Sequence, residues 1–193
     1  YFANLREAMV GGTVLKAAII ATPADTHLAM ATQCLEAGLH VLVEKPLSIS
    51  NGDESKWREL HQRHHGQVIH CGYMAAQFPQ LFKAFQLARA QKLGAVKRVK
   101  LVALQTHITA AEPVRWEMLK GRSGGGAMIN FGCHVASMLF RLIGWPETGA
   151  TGWHWSIFSE EVEDALAARF SVRSVECTVA VSWSVAGYAR PID

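Results

Sequence analysis

The chain has 193 residues, with 19 Lys and Arg against 16 Asp and Glu for a net charge of +3, half of its residues apolar and four cysteines. That apolar share suffices for a packed core, which excludes a disordered chain, a collagen-like repeat and a small disulfide scaffold. Three surplus positive charges over this length do not make the clustered basic face that nucleic-acid binding requires.

The first residues, YFANLREAMVGG, read as a helix. Residues 13–22, TVLKAAIIAT, form an apolar run of strand length and predict a strand buried on both faces. Thr22 is placed to cap a following helix, with Pro23 as its first helical residue and Asp25 completing a capping-box pattern. Leu28, Ala31, Cys34 and Leu35 fall at helical spacing, and Gly38 is the expected C′ residue. HVLV at 40–43 then gives a second strand. Strand, helix and strand within about thirty residues is the βαβ unit, with parallel strands and a right-handed crossover. Both strands therefore finish on one edge, one at Thr22-Pro23 and the other at Glu44-Lys45-Pro46. Ligands of open α/β sheets bind outside the carboxyl ends of the strands, so these corners are the first candidates for chemistry. A helix over roughly 53–65 and a strand over 67–71 continue the layer.

After residue 72 the pattern changes. A helix over about 79–91, a strand over 96–105, an irregular stretch containing Trp116, a Gly124-Gly125-Gly126 run and a helix over about 128–143 follow in order. Beyond them Trp153, Trp155 and Ile157, then Val175, Cys177, Val179, Val181, Trp183 and Val185, alternate with polar or small residues, which marks antiparallel strands with one covered face. The fold class is thus α/β: a partial Rossmann-type parallel sheet, then an α+β part with a mostly antiparallel sheet. The chain opens on Tyr1 rather than Met and stops at Pro191-Ile192-Asp193, which predicts an internal piece of a longer protein.

The four cysteines, Cys34, Cys71, Cys133 and Cys177, form no CxxC pair and suit a reducing cytoplasm. His61, His64 and His65 read as a solvated helix end, and no metal is expected. Lys97, Arg98 and Lys100, interleaved with valines, read as the solvent side of a strand. The stretch from Ser123 to Phe140 carries no charge, but its three glycines, Asn130 and His134 argue against a membrane span. Lys45, at the carboxyl end of a parallel strand and before a proline, can polarise a carbonyl or stabilise an alkoxide. Asn130 and His134, four residues apart on a helix, share a face.

Three segments carry a resemblance: AAIIATPADTHLAMATQCLEAGLHVLVEKPLSIS, RWEMLKGRSGGGAMINFGCHVASMLFRLIGWP, and VEDALAARF followed by VAVSWSV. Their order resembles the Gfo/Idh/MocA family of NAD(P)-dependent oxidoreductases, from about residue 15 to the end. The resemblance implies a dinucleotide-binding part over 1–72, itself the C-terminal portion of such a domain, and a substrate-binding and oligomerisation domain over 73–193. It implies NAD or NADP as cofactor, bound at its nicotinamide end by Thr22, Pro23, His27, Glu44, Lys45 and Pro46. A sugar, polyol or related hydroxyl compound would be the substrate, with Lys45 stabilising its oxygen, His134 moving the proton and Asn130 beside it. Relatives associate through the later strands, so a homo-oligomer is implied, with no nucleic acid or membrane partner.

Departures from the family pattern are also legible. Asn130 and Ser137 stand where Asp is usual, and Ala75, Ala76 and Gln77 supply no arginine before Phe78. In the family the G-x-G-x-x-G fingerprint belongs upstream of Tyr1, and neither Gly11-Gly12 nor Gly124-Gly125-Gly126 has its spacing, so the chain as written is expected to bind dinucleotide weakly or not at all and to be inactive by itself. A non-catalytic dinucleotide-binding sensor or scaffold, and an NAD-dependent glycosidase-like hydrolase, are the alternative functions.

Overall fold

The computed structural model describes residues 7–8, 14–106, 115–146 and 149–185. Apart from residues 7 and 8, the helix predicted over 1–12, with Gly11-Gly12, lies outside the described residues, as do Pro191-Ile192-Asp193. The chain divides into two compact units, Tyr1–Gly72 and Tyr73–Asp193.

The first unit follows the βαβ pattern: β1 (Ala17–Ile20), α1 (His27–Glu36), β2 (His40–Val43), α2 (Asp53–Arg63) and β3 (Ile69–Cys71). The strands lie in the order β1-β2-β3, all parallel, with Ile20 opposite Val43 and Val43 opposite Cys71. Ala31, Cys34 and Leu35 of α1 bury against Ile20, Val41 and Val43, and Trp57 and Leu60 of α2 close the same core. Helix α1 ends in a Schellman motif: Gly38, at φ +84°, donates to the Leu35 carbonyl, and Leu39 donates to that of Cys34.

Two expectations for this unit are corrected. The Thr22/Asp25 capping box does not form, because Pro23 has an extended ψ of 143° and leads into a 3-10 turn, Ala24–Thr26. The Thr22 hydroxyl meets that of Thr26 at 2.6 Å, Thr26 donates to the Pro23 carbonyl, and the α-helix starts only at His27. Nor is β1 buried on both faces: Ile20 is buried while Ile19 is 74% exposed, so one face alone is covered among the described residues.

The second unit contains α3 (Pro79–Arg89), β4 (Arg98–Leu104), a short helix α4 (Lys120–Ser123), a π-helical turn (Met128–Gly132), α5 (Cys133–Ile143), β5 (Thr151–Trp155), β6 (Ala165–Val172) and β7 (Val175–Ser182). Its sheet runs β4-β7-β6-β5, antiparallel except for the parallel β4–β7 pair. Val135 packs with Val179, Val181 and Trp183, and Leu139 with Val99, Val172 and Cys177, so α5 covers one face. On the other face Trp153, Trp155 and Val102 are about half exposed. Residues 120–143 are long and apolar enough to cross a membrane by composition. The glycine run interrupts them, however, and the continuous helix from Met128 to Ile143 is only about 24 Å long. That is short of the roughly 30 Å a hydrocarbon core demands.

Gly126 is where the helix lead-in meets the segment just before β6. A Cβ there would fall 1.8 Å from the Glu163 carbonyl oxygen, a main-chain atom that cannot step aside. Gly126→Ala is therefore expected to destabilise the unit by about 3 kcal/mol or more. Gly149→Ala, where a Cβ meets nothing within 4 Å, should lie close to neutral, and the midpoints of urea unfolding compare the two.

Candidate functional site

In the first unit the three strands stop together. The last ladder bonds are Glu44 N–H to the Ile20 carbonyl and Gly72 N–H to the Val43 carbonyl, both 2.8 Å. The residues just beyond are thereby brought to one edge, which assembles Thr22, Pro23, His27, Glu44, Lys45 and Pro46. Thr22, Pro23 and Lys45 are half-buried and Glu44 is exposed, whereas Pro46 and His27 are buried beneath them, His27 with 1% of its surface exposed. The Lys45–Pro46 peptide is cis. The Glu44 carboxylate accepts the Lys45 N–H at 3.1 Å and lies over Gly72, where an added Cβ would stand 3.3 Å from Oε2. Gly72 is a part of this corner that the sequence pattern does not reveal.

His27 is held at both ring nitrogens. Nδ1 lies 2.9 Å from the Pro46 carbonyl oxygen and Nε2 lies 2.9 Å from that of Thr22. The edge thus offers a hydroxyl, a carboxylate and an ammonium at the surface over a floor of His27 and Pro46. Such a mixture of donors and acceptors fits the amide and ribose of a nicotinamide nucleoside, with Thr22, Pro23, Glu44 and Lys45 as the groups that would hold it.

In the second unit Asn130 lies in the π-helical turn and His134 in the first turn of α5, both half-buried. A π turn carries an extra residue per turn relative to an α-helix and recurs at functional sites. The His134 ring is flanked edge-on by Tyr73 and Phe131, each with ring centroids 6.4 Å away. Ser137 uses its hydroxyl to donate to the His134 carbonyl at 2.8 Å.

Glu163 holds the start of this helix. Its carboxylate accepts the N–H of Gly126 and of Met128, both at 3.0 Å, and its carbonyl accepts that of Ala127 at 2.8 Å. Three donors of the helix N-terminus are satisfied by one residue 35 or more positions away. Asp164, fully buried, accepts the N–H of Ile157 at 2.7 Å and of Phe158 at 2.6 Å and fixes the loop between β5 and β6. Both acids were missed from sequence. The signal was the glycine run itself: a helix start without a capping side chain needs an acceptor from elsewhere. Burial pushes the Cys34 and Cys177 thiols up, which keeps them protonated and inert. Among the described residues no group of three or more His, Cys, Asp and Glu is placed to hold a metal.

Residues 1–73 match the oxidoreductase family with an NAD-binding Rossmann fold, and residues 82–192 match the GFO/IDH/MocA C-terminal domain. The chain belongs to the Gfo/Idh/MocA family of oxidoreductases. The family's cofactor is NAD or NADP, and this chain's parallel sheet is its Rossmann-type part. Oxidoreductase P35 of Formosa agariphila is 26% identical over 141 residues, 72% of this chain and 44% of that protein. Levoglucosan dehydrogenase of Pseudarthrobacter phenanthrenivorans is 28% identical over 126 residues, 65% of this chain and 32% of its own length. The crystal structure of GenD2 from gentamicin A biosynthesis, in complex with NAD, superposes with a TM-score of 0.82 at 28% identity, covering 97% of this chain and 53% of that one. The chain thus spans about half the length, or less, of the relatives it matches.

If Glu163 anchors the helix as described, Glu163→Ala should lower stability by about 2 kcal/mol. It should also abolish the protection of the Gly126 and Met128 amides in hydrogen exchange while leaving those of β1 and β2 unchanged.

Proposed function

We propose that this protein is an NAD(P)-dependent oxidoreductase that transfers a hydride between a sugar, polyol or related hydroxyl compound and nicotinamide. One observation carries the reading: in a chain of this family, Lys45 and its neighbours stand at the carboxyl edge of the parallel sheet. Relatives named for levoglucosan and for inositol support the substrate class.

When bound, the nicotinamide ring supplies the acceptor or donor of the hydride. Oxidation of a hydroxyl takes a hydride from carbon and a proton from oxygen. Lys45 donates a hydrogen bond to that oxygen and stabilises the negative charge it gains as the proton leaves. His134 accepts the proton at its imidazole and returns it in the reverse reaction. Asn130 offers a neutral hydrogen-bonding group beside it. Thr22, Pro23 and Glu44 would hold the nicotinamide end of the cofactor.

The test follows NADH or NADPH formation by the full-length protein against a panel of polyols and aldoses. Lys45→Ala is expected to reduce kcat/KM by about 100-fold or more, and His134→Ala to reduce it by a factor between about 100 and 10,000. Full activity in Lys45→Ala would remove its assigned role.

A second reading, a dinucleotide-binding sensor without turnover, is favoured by one feature. Neither carboxylate usual beside the histidine is present, and the Ser137 hydroxyl is committed to a carbonyl of its own helix. Cofactor binding with no turnover on any compound of the panel, and a partner recovered with the full-length protein, would select it.

We further propose that the uncovered face of the β4-β7-β6-β5 sheet is where a second copy docks. An open groove of about 770 Å³ on it is lined by Arg98, Thr151, Trp153, Arg169, Glu176 and Thr178. Light scattering should report a dimer or larger assembly for the full-length protein, and Trp153→Glu should shift it toward monomer.

A further inference from the structure

Between β1 and β2 the main-chain ladder ends at Glu44 N–H to the Ile20 carbonyl. Continued in the same register, the carbonyl of Thr22 would next accept from the N–H of residue 46. Residue 46 is proline and has no N–H to give. The imidazole of His27, the first residue of α1, takes that place: Nε2 lies 2.9 Å from the Thr22 carbonyl oxygen. Nδ1 lies 2.9 Å from the carbonyl oxygen of Pro46 itself. One buried ring therefore spans the two chain segments just where their ladder fails. The turn that presents Lys45 is tied on both sides, before it through the Glu44 N–H and after it through the Pro46 carbonyl. Both partners of the ring are acceptors, so a ring with one N–H donates to one of them and a ring with two donates to both. In either form its nitrogens face the protein's own backbone.

We propose that His27 is a positioning residue for Lys45, extending the β1–β2 pairing across the proline so that the Lys45 main chain is held and its ammonium is aimed. It acts through Lys45 rather than on a ligand. The inference rests on the reading of Lys45 as the group that meets the substrate oxygen.

The test uses the full-length protein with its lysines reductively methylated with ¹³C-formaldehyde and the Lys45 resonance assigned through Lys45→Arg. In His27→Phe, which fills the space and donates nothing, that resonance is expected to shift or broaden, with a fall in kcat of about 100-fold. His27→Gln, whose amide can still donate to one carbonyl, should restore both in part. A Lys45 resonance unmoved in both variants, or one displaced with kcat intact, overturns the proposal. If His27→Phe does not fold, the wild-type spectrum still decides. A His27 ring N–H in slow exchange, with nuclear Overhauser contacts to Thr22 and Pro46, is expected, and a freely exchanging ring overturns it. Full turnover in Lys45→Ala would instead remove the catalytic reading, while the resonance measurement continues to report whether His27 holds Lys45.

Discussion

Parallel strands must finish on the same edge of their sheet, and the candidate chemistry of this protein depends on that constraint. β1, β2 and β3 end level with one another, at Ile20, Val43 and Cys71. Thr22-Pro23, Glu44-Lys45-Pro46 and Gly72 are then neighbours although fifty residues of chain separate the first from the last. The same prolines that turn the chain out of the sheet also remove main-chain donors there. The corner keeps its geometry because a buried histidine side chain supplies what the backbone lacks.

A comparable exchange operates in the second unit. The helix that carries Asn130 and His134 begins after three glycines, which bring no capping side chain of their own. Their smallness lets the backbone approach Glu163 closely enough for its carbonyl and carboxylate to accept three helix donors. Asp164, next in sequence, faces the other way and gathers the loop before β6. Two adjacent acids thus fix a helix start and a loop at once. Carboxylates suit both tasks because each oxygen accepts more than one hydrogen bond.

Much of this was legible in the order of residues. The strand-helix-strand order, the Gly38 terminus of α1 and the alternation in β7 follow from local patterns that persist in the folded chain. Where the reading failed, a competing preference prevailed. Thr22 and Asp25 look like a capping box, but the extended ψ of Pro23 interposes a 3-10 turn and moves the helix start to His27. An apolar run such as TVLKAAIIAT cannot tell one covered face from two, and Ile19 is exposed. The parallel β4–β7 pairing joins strands more than seventy residues apart, a choice of partner that alternation alone does not encode.

By itself the sequence determined the family, the α/β class and which residues reach the carboxyl edge of the first sheet, because periodicity, turn residues and the TP and EKP segments are local properties. Tertiary structure alone decided what those residues touch. His27 stood out from sequence as a residue near a cofactor, yet only the fold turns its two nitrogens onto the carbonyls of Thr22 and Pro46. Glu163 and Gly72 carried no local mark, because hydrogen bonds and close contacts form between groups that the chain brings together from far apart.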